Sequence, residues 1–477
     1  MKATRREVGY LTGNGYNVTW AFGHLVQPAL PDGYGIKGFH PDNLPIIPPV
    51  FKLIPRQVKG EKGYKPDSDV VAQIKVIARL FRESERIIVA TDAGREGELI
   101  FRHLYEYIGC ATPFDRLWIS SLTDTAIREG LERLESGSKY DNLYYAAKAR
   151  SEADWLVGIN GTRLYSRLYG TKLNVGRVMT PTLAMVAQRE KEIAAFQVER
   201  FYTAQLSCGF PAQSGRIKTR EEAERIRASC HCKKAAVKQI ERRQKKEKPP
   251  KLYDLTALQR DANRIYGYTA QQTLDYAQTL YEKKLATYPR TDSRFLTHDL
   301  RDRLPALIEC VAQVLPFASG LPLAVHTQQV IRDEKVSDHH AIIPTQNMTR
   351  EALAQLPMGE RSILTLLAVR LLAATGEPCE TDEVTVTLDC EGHDFTAKGS
   401  TVRQMGYRVF EETFRGSLGS RERKEQEYPI PPLEIGQMVG PVVATIREGQ
   451  TTPPKRYTDV IFCERKEWIG IEERSSA

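Results

Sequence analysis

The sequence has no apolar run near the roughly 20 residues that a membrane helix needs, and its mean hydropathy is −0.42. A helical membrane span is therefore not expected. No apolar stretch stands behind Met1-Lys2-Ala3-Thr4-Arg5-Arg6 either, so no signal peptide is expected. The cysteines (Cys110, Cys208, Cys230, Cys232, Cys310, Cys379, Cys390 and Cys463) are scattered, with no Cys-x-x-Cys pair. That speaks against a disulfide framework and a zinc ribbon, and suits a reducing cytoplasm. Cys230-His231-Cys232 is the one metal-like cluster, and it lacks a second ligand pair. Internal repeats and low-complexity tracts are missing as well.

What is there is ordinary globular chain. The 477 residues suggest about three domains at roughly 150 residues each. A content of 41% hydrophobic and 27% charged residues suffices to bury cores without staples. The 68 basic and 60 acidic residues leave +8, a mild lean towards a polyanion. Lys233 to Lys251 is strongly basic, KKAAVKQIERRQKKEKPPK. It reads either as a solvated linker or as the flank of a nucleic-acid channel, where each phosphate contact releases counterions.

Along the chain, Val18-Thr19-Trp20-Ala21-Phe22 reads as a buried strand stopped by Gly23. A proline-bearing, turn-rich stretch runs from Pro28 to Pro55. Arg86 to Ala90 is a β-branched run, followed by a helical pattern with Ile100, Leu104 and Ile108 on one face. Leu117-Trp118-Ile119 is another strand candidate, and Thr123-Asp124 caps a helix through Leu134. This alternation predicts a mostly parallel sheet with covering helices. Tyr140 to Val198 reads as helical, Phe201 to Pro250 as β-leaning, Leu255 to Thr375 as helical, and Thr381 to Val443 as strands.

Four segments carry candidate chemistry. Ile88 to Glu98 ends a buried strand on acidic residues at a strand-to-helix corner. Its carboxylates either hold Mg²⁺, which prefers oxygen ligands, or cap the helix (Asp92) and line its first turn (Glu96, Glu98). In Thr287 to Arg294, Pro289 holds Tyr288 in extended backbone, and Arg290 could share its side and steady a phosphate. The alternative is a tyrosine packed over a turn. Asp338 to Thr345 places His339 and His340 before an apolar run; adjacent histidines diverge, so they suit a phosphate contact or a structural turn better than chelation. Asn174 to Pro181 is a glycine-arginine corner before a helix, of the sort that meets phosphates.

Taken in order, these segments resemble the type IA DNA topoisomerases, on their topoisomerase III branch. Gly13-Asn14-Gly15, Val18-Thr19-Trp20 and Gly23-His24-Leu25 resemble the family's early signature. Ala90 to Ile100 (ATDAGREGELI) resembles its acidic Toprim motif, and Arg150 to Asn160 (RSEADWLVGIN) its DNA-lining helix. NVGRVMTP (Asn174 to Pro181), LYDLTALQRDAN (Leu252 to Asn263), TYPRTDSRFL (Thr287 to Leu296) and DHHAIIPT (Asp338 to Thr345) complete the set. The resemblance implies a multidomain α+β and α/β chain: a toroidal clamp with a Toprim domain, helical domains and a β-rich arch. It places the Toprim domain at 1–138, a helical DNA-groove domain at 139–198, the arch at 199–251 and 379–450, a helical domain with the tyrosine at 252–378, and an incomplete return at 451–477.

The same resemblance implies that Tyr288 attacks single-stranded DNA and becomes linked to the 5′ phosphate, without ATP. Arg290 would stabilise the phosphoryl oxygens, Asp92 and Glu96 would hold Mg²⁺, and His339 would contact the scissile strand. Arg150, Asp154, Asn160, Arg163, Arg177, Thr291 and Asp292 would line or shape the DNA groove. The implied substrate is single-stranded or negatively supercoiled DNA, acted on by a cytoplasmic, nucleoid-associated monomer with a helicase partner and no membrane.

Departures from the family pattern set a further expectation. The family's opening strand with Glu-Lys-Pro-Ser is not found before Gly9. Gly94 stands where many members carry a second aspartate, Met179 where a glutamine is usual, and Asn174 where a serine is usual. Thr451 to Thr458 matches the return into the helical domain, but Asp459 to Ala477 does not resemble the family's continuation. The polypeptide is thus expected to be a fragment that binds single-stranded DNA and relaxes supercoils poorly. A catalytically impaired DNA-binding clamp is the alternative to an active enzyme. Another Toprim enzyme, a primase or nuclease, has no place for TYPRTDSR and DHHAIIPT.

Overall fold

The structure is a computed structural model that describes residues 5–38, 40–61, 63–119, 124–336, 339–419 and 430–458. It divides into two compact units. One holds residues 1–185 with 334–340, the other 186–333 with 341–465. Thr123, Asp338 and the segment from Asp459 to Ala477 lie outside the described residues. Among the described residues no helix is long and apolar enough to cross a membrane.

The first unit opens with a three-stranded antiparallel sheet, β1 (Arg5–Glu7), β2 (Tyr10–Gly13) and β3 (Tyr16–Thr19). Asn14 and Gly15, both at positive φ, make the two-residue turn between β2 and β3. Asn-Gly suits such a turn because it tolerates that backbone. The expected buried strand at Val18 to Phe22 is not buried: β3 ends at Thr19, and Trp20 and Phe22 are 40% and 42% exposed. Leu25 and Val26 take the core positions instead.

Short ribbons follow, β4 (Val26–Pro28) with β5 (Leu53–Pro55) and β6 (Gln57–Gly60) with β7 (Gly63–Pro66). Asp67 then caps α1 (Ser68–Glu83) by accepting from Asp69 N, and Val70, Ile74, Ile77 and Phe81 form its buried stripe. A second sheet has the order β10–β9–β8, from β8 (Ile87–Val89), β9 (Phe114–Arg116) and β10 (Glu135–Ser136). Helices α2 (Arg95–Ile108) and α3 (Asp124–Glu132) fall between its strands. Only β8 and β9 run parallel, so the sheet is smaller and more mixed than expected. Its middle strand also lies three residues before the apolar Leu117-Trp118-Ile119. Asp115 and Arg116 hid it, because both are buried in ion pairs, with Arg86 and Glu98. Helix α4 (Asp141–Leu168) and α5 (Met179–Ala194) follow.

The second unit has two cores. A seven-stranded antiparallel sheet runs β16–β13–β14–β15–β12–β11–β17. Its strands are β11 (Arg200–Ser207), β12 (Pro211–Gln213), β13 (Ala235–Glu247), β14 (Cys379–Cys390), β15 (His393–Gln404), β16 (Met438–Val439) and β17 (Val443–Gln450). Helix α6 (Arg220–Cys230) packs on it through Ala223 and Cys230. The basic run from Lys233 is therefore not a linker: most of it is β13, a 13-residue strand that pairs with β14 along most of its length and with β16 only at Ala235 and Ala236. Lys238, Lys245 and Lys246 pair with Asp394, Glu383 and Glu380 on neighbouring strands at 2.8, 3.4 and 2.9 Å. The helical core comprises α7 (Leu255–Tyr266), α8 (Ala270–Glu282), α9 (Leu304–Val314), α10 (Arg350–Gln355), α11 (Met358–Ala374) and α12 (Arg408–Ser417). Helix α11 is apolar nearly all round, as a central helix must be, and buries residues from Ile363 to Ala374. Helix α12, in a segment expected to be strand, covers that core with Phe410 and Phe414.

One chain of charges ties the first unit together. The fully buried Arg116 donates through Nε to Glu98 at 3.0 Å and through Nη1 to the carbonyls of Val89, Thr91 and Leu117. Its Nη2 donates to the Asp92 carbonyl. Burial pulls the Arg116 pKa below the ordinary guanidinium value, against the opposing pull of Glu98. The other Glu98 oxygen accepts from Arg102, which reaches Asp141 at 2.7 Å at the start of α4. Arg116→Met leaves Glu98 buried against one cation instead of two. Unfolding titration should show a loss of about 3–5 kcal/mol, with part regained in Arg116→Met/Glu98→Met.

Candidate functional site

In the first unit, the corner after β8 presents the acidic motif. Gly97 lets α2 approach the strand end closely: a Cβ there would lie 2.1 Å from the Asp92 carbonyl oxygen. Thr91 Oγ1 adds a bond to the Gly97 carbonyl at 2.8 Å. With its backbone held by Arg116, Asp92 turns its side chain outward, 61% exposed. His339 Nε2 lies 3.6 Å from Asp92 Oδ1 and holds the carboxyl below its usual pKa. Glu96 pairs in the same manner with His24 at 3.4 Å, and His24, then Arg95 and Arg150, lower its pKa. Each expected metal carboxylate thus stands beside a histidine. Asp92 was read as a possible helix cap, but the N-cap of α2 is Gly94, without a side chain to offer.

Asp92 and Glu96 are oxygen donors on an open rim, and no group of three or more metal-ligating side chains is assembled among the described residues. Such a sparse, hard donor set fits Mg²⁺, which is bound through one or two carboxylates and keeps several waters.

Helix α4 organises the DNA-groove candidates. Trp155 donates to the Ala29 carbonyl at 2.9 Å and meets Tyr34 and Phe51 edge to face, fixing the turn-rich stretch after Pro28. Asn160 accepts from Ile46 N and donates to Ile46 O, at 2.6 and 2.9 Å. Arg163 is buried and donates to the Gly38 carbonyl. Asp154 stays on the surface, where both its oxygens accept from Arg177 Nε at 3.0 Å. The loop carrying Arg177 is laid onto α4 by Val175 N donating to Thr162 Oγ1 at 2.9 Å. A glycine at 161 is required there, since a Cβ would meet Val175 at 2.9 Å.

In the second unit, the tyrosine segment is laced into the helical core. Thr287 N donates to the Ile343 carbonyl and Thr287 Oγ1 to the Ala341 carbonyl, at 3.0 and 3.1 Å. Leu255 N, at the start of α7, donates to the Thr291 carbonyl at 3.0 Å. Ala341 N and Ile342 N bond to the carbonyls of Phe295 and Tyr253, which explains the apolar run after the two histidines: it is a core rung. Beneath it Tyr253 donates to Asp261 at 2.8 Å, and Arg370 from α11 pairs with the same carboxylate. Tyr288 is half-buried, its ring edge-on to Tyr281 with centroids 5.4 Å apart. Pro289 is buried, while Arg290 and Asp292 are exposed. Thr291 is buried, its hydroxyl accepting from Ser293 N at 3.1 Å.

Two family models match the chain: a Toprim domain over residues 4–122 and a DNA topoisomerase model over residues 138–464. The chain belongs to the type IA DNA topoisomerases. It is 38% identical over 475 residues to DNA topoisomerase 3 of Bacillus subtilis, covering 96% of this chain and 63% of that protein. A DNA topoisomerase 3 of Bacillus cereus is 37% identical over 484 residues, covering 98% and 64%. The chain therefore spans a little under two thirds of these relatives' length. Full-length topoisomerase I from Thermotoga maritima shares the fold, with a TM-score of 0.68 at 23% identity, over 96% of this chain and 73% of that one.

The motifs in sequence fall on the acidic corner, on helix α4 and on the tyrosine segment, but did not reveal the internal wiring. His24 was visible in Gly23-His24-Leu25 without any sign that it faces Glu96. The burial of Glu98 had no sequence signal, because an acidic residue in a first turn reads as solvated. Gly97→Ala should force Asp92 away from its place and lower stability by about 1–3 kcal/mol, as overpacking does, measurable by thermal unfolding.

Proposed function

We propose that this chain cuts and reseals single-stranded DNA through Tyr288, relaxing negative supercoils or unlinking strands. The carrying observation is a half-exposed tyrosine in a segment laced to the core on both sides, with exposed Arg290 two residues on. The Tyr288 oxygen attacks the phosphorus, the bond to the 3′ oxygen breaks, and that oxygen leaves with a proton. The 5′ phosphate stays on the tyrosine. Reversal reseals the strand without ATP, because the phosphotyrosine keeps the bond's energy. Arg290 offers its guanidinium to the phosphoryl oxygens as charge develops.

A Toprim domain is a metal-binding domain. On this reading Asp92 and Glu96 hold Mg²⁺, whose charge, when bound, helps position the strand end for resealing. His339, Arg150, Asp154, Arg177 and Asp292 are the residues assigned to the strand itself. Asn160, Arg163 and Thr291, whose polar groups bond the chain's own backbone, act as positioning residues that hold loops beside it. The functional division follows the family: Toprim at 1–138, groove helices at 139–198, arch at 199–251 and 379–450, tyrosine domain at 252–378, return at 451–477. A monomer in the cytoplasm, associated with the nucleoid and working with a helicase, completes the proposal.

Tyr288→Phe should abolish covalent DNA adducts trapped by denaturant while leaving single-strand affinity nearly unchanged; adducts that persist in this variant remove Tyr288 from the site. Neutralising Arg177 should weaken single-strand binding and reduce the salt slope by about one phosphate contact. Neutralising Lys245 and Lys246 together should change it less, since acidic neighbours already face them. Titration at two salt concentrations ranks the two variants.

A further inference from the structure

From Trp155 to Gln188 the chain carries Arg163, Arg167, Lys172 and Arg177 and no acidic residue, although the whole sequence holds 60 of them. This stretch covers the second half of α4, the loop after it and the first part of α5. At the end of α4, Tyr165 and Tyr169 stand one helical turn apart, with ring planes 20° apart and centroids separated by 6.4 Å. They are 47% and 69% exposed, with Leu164, Leu168 and Leu173 also open to solvent. A helix end that leaves two near-parallel aromatic rings in water is an unsatisfied surface, and the charges its segment carries are all of one sign. The loop beside the rings is fixed: Ser166 Oγ accepts from Leu173 N at 2.9 Å, next to the exposed Lys172.

We propose that Tyr165 and Tyr169 form a base-stacking platform that extends the single-strand groove beyond Arg177, with Arg167 and Lys172 taking the adjoining phosphates. This rests on the reading of the chain as a single-strand DNA enzyme. The occupant is a nucleic-acid strand, because stacked bases suit aromatic faces of any sequence while phosphates suit a basic segment that supplies no acid. Tyr165 follows Asp154 by eleven residues. That is about 16 Å along the helix at 1.5 Å per residue, or roughly five stacked nucleotides at 3.4 Å each. The platform therefore lies about that far along α4 from the Asp154–Arg177 pair.

The test uses the whole chain and fluorescein-labelled oligodeoxythymidylates of increasing length, followed by anisotropy. Tyr165→Leu/Tyr169→Leu should bind long oligonucleotides about tenfold more weakly, with its salt slope unchanged, and should lose the affinity that extra length adds in the wild type. Tyr165→Phe/Tyr169→Phe keeps both ring faces and should bind as the wild type does. Abasic positions placed through the oligonucleotide should weaken the wild type and the phenylalanine pair but leave the leucine pair little changed. Leucine and wild-type chains of equal affinity, or an equal abasic penalty in both, would overturn the platform alone. Wild-type chain that bound no oligonucleotide would sink the DNA-enzyme reading together with it. If the leucine pair failed to fold, judged by its unfolding transition, the abasic series on the wild type and the phenylalanine pair decides the matter.

Discussion

The first unit depends on one guanidinium. Arg116, with no solvent exposure, receives the Glu98 carboxylate on one side and four backbone carbonyls on the others, so every nitrogen faces an acceptor. A buried ion is tolerable only on such terms, because its desolvation cost must be met by both charge and hydrogen bonds. The arrangement sets the place of the Thr91–Asp92 backbone, and through Arg102 and Asp141 it also sets where α4 begins. Asp92 can project into solvent as a carboxylate because its own main chain is clamped from below. The catalytic reading of this corner therefore leans on residues that never touch a substrate.

Charge is sorted by segment in the chain, and the net figure of +8 conceals it. On β13 the lysines face glutamates and aspartates from neighbouring strands, an arrangement of the kind that stabilises antiparallel ladders by cross-strand pairs. Between Trp155 and Gln188 the segment supplies no acid of its own, and Asp154, just before it, takes Arg177 with both carboxylate oxygens. A count of lysines along the sequence does not show which of them already face acidic partners. Three-dimensional pairing separates a self-neutralised strand from a surface that still has a field to offer.

In much of the framework local chemistry and fold agree, although these caps and this turn were not among the features expected from the sequence. Asp67 and Asp254 cap α1 and α7, Thr269 and Gln272 form a reciprocal capping box on α8, and Asn14-Gly15 turns a hairpin. Ile87 to Val89 appeared where their apolar pattern put them, whereas on α2 only Leu104 of the expected stripe is buried, with Leu99 and Phe101 in place of Ile100 and Ile108. What failed were places where polar residues are buried or apolar ones exposed. Phe114–Arg116 is an interior strand made of an aromatic and two paired charges, while β13 is a strand whose largely exposed polar residues do read as a solvated charge run. Trp20 and Phe22 look like core and lie on the surface, Phe22 beneath Arg56 at 5.5 Å. The functional motifs told which residues to watch. Which polar groups are spent on the chain itself, as Asn160 and Thr291 are, required the fold.

The lacing of the tyrosine segment has a mechanical consequence. Thr287 and Phe295 are bonded by main chain to the Ala341–Ile343 rung and Thr291 to the start of α7, so the backbone between them has little slack to give. On the proposed function, a load applied to the Tyr288 side chain by an attached strand would be passed into α7 and the Ala341–Ile343 rung, not absorbed by a yielding loop. Any large excursion of that stretch of backbone must break these bonds or carry the helical core with it. On the proposed function, the tyrosine is a cleat on a stiff backbone, and the register of an attached phosphate would be kept for the return.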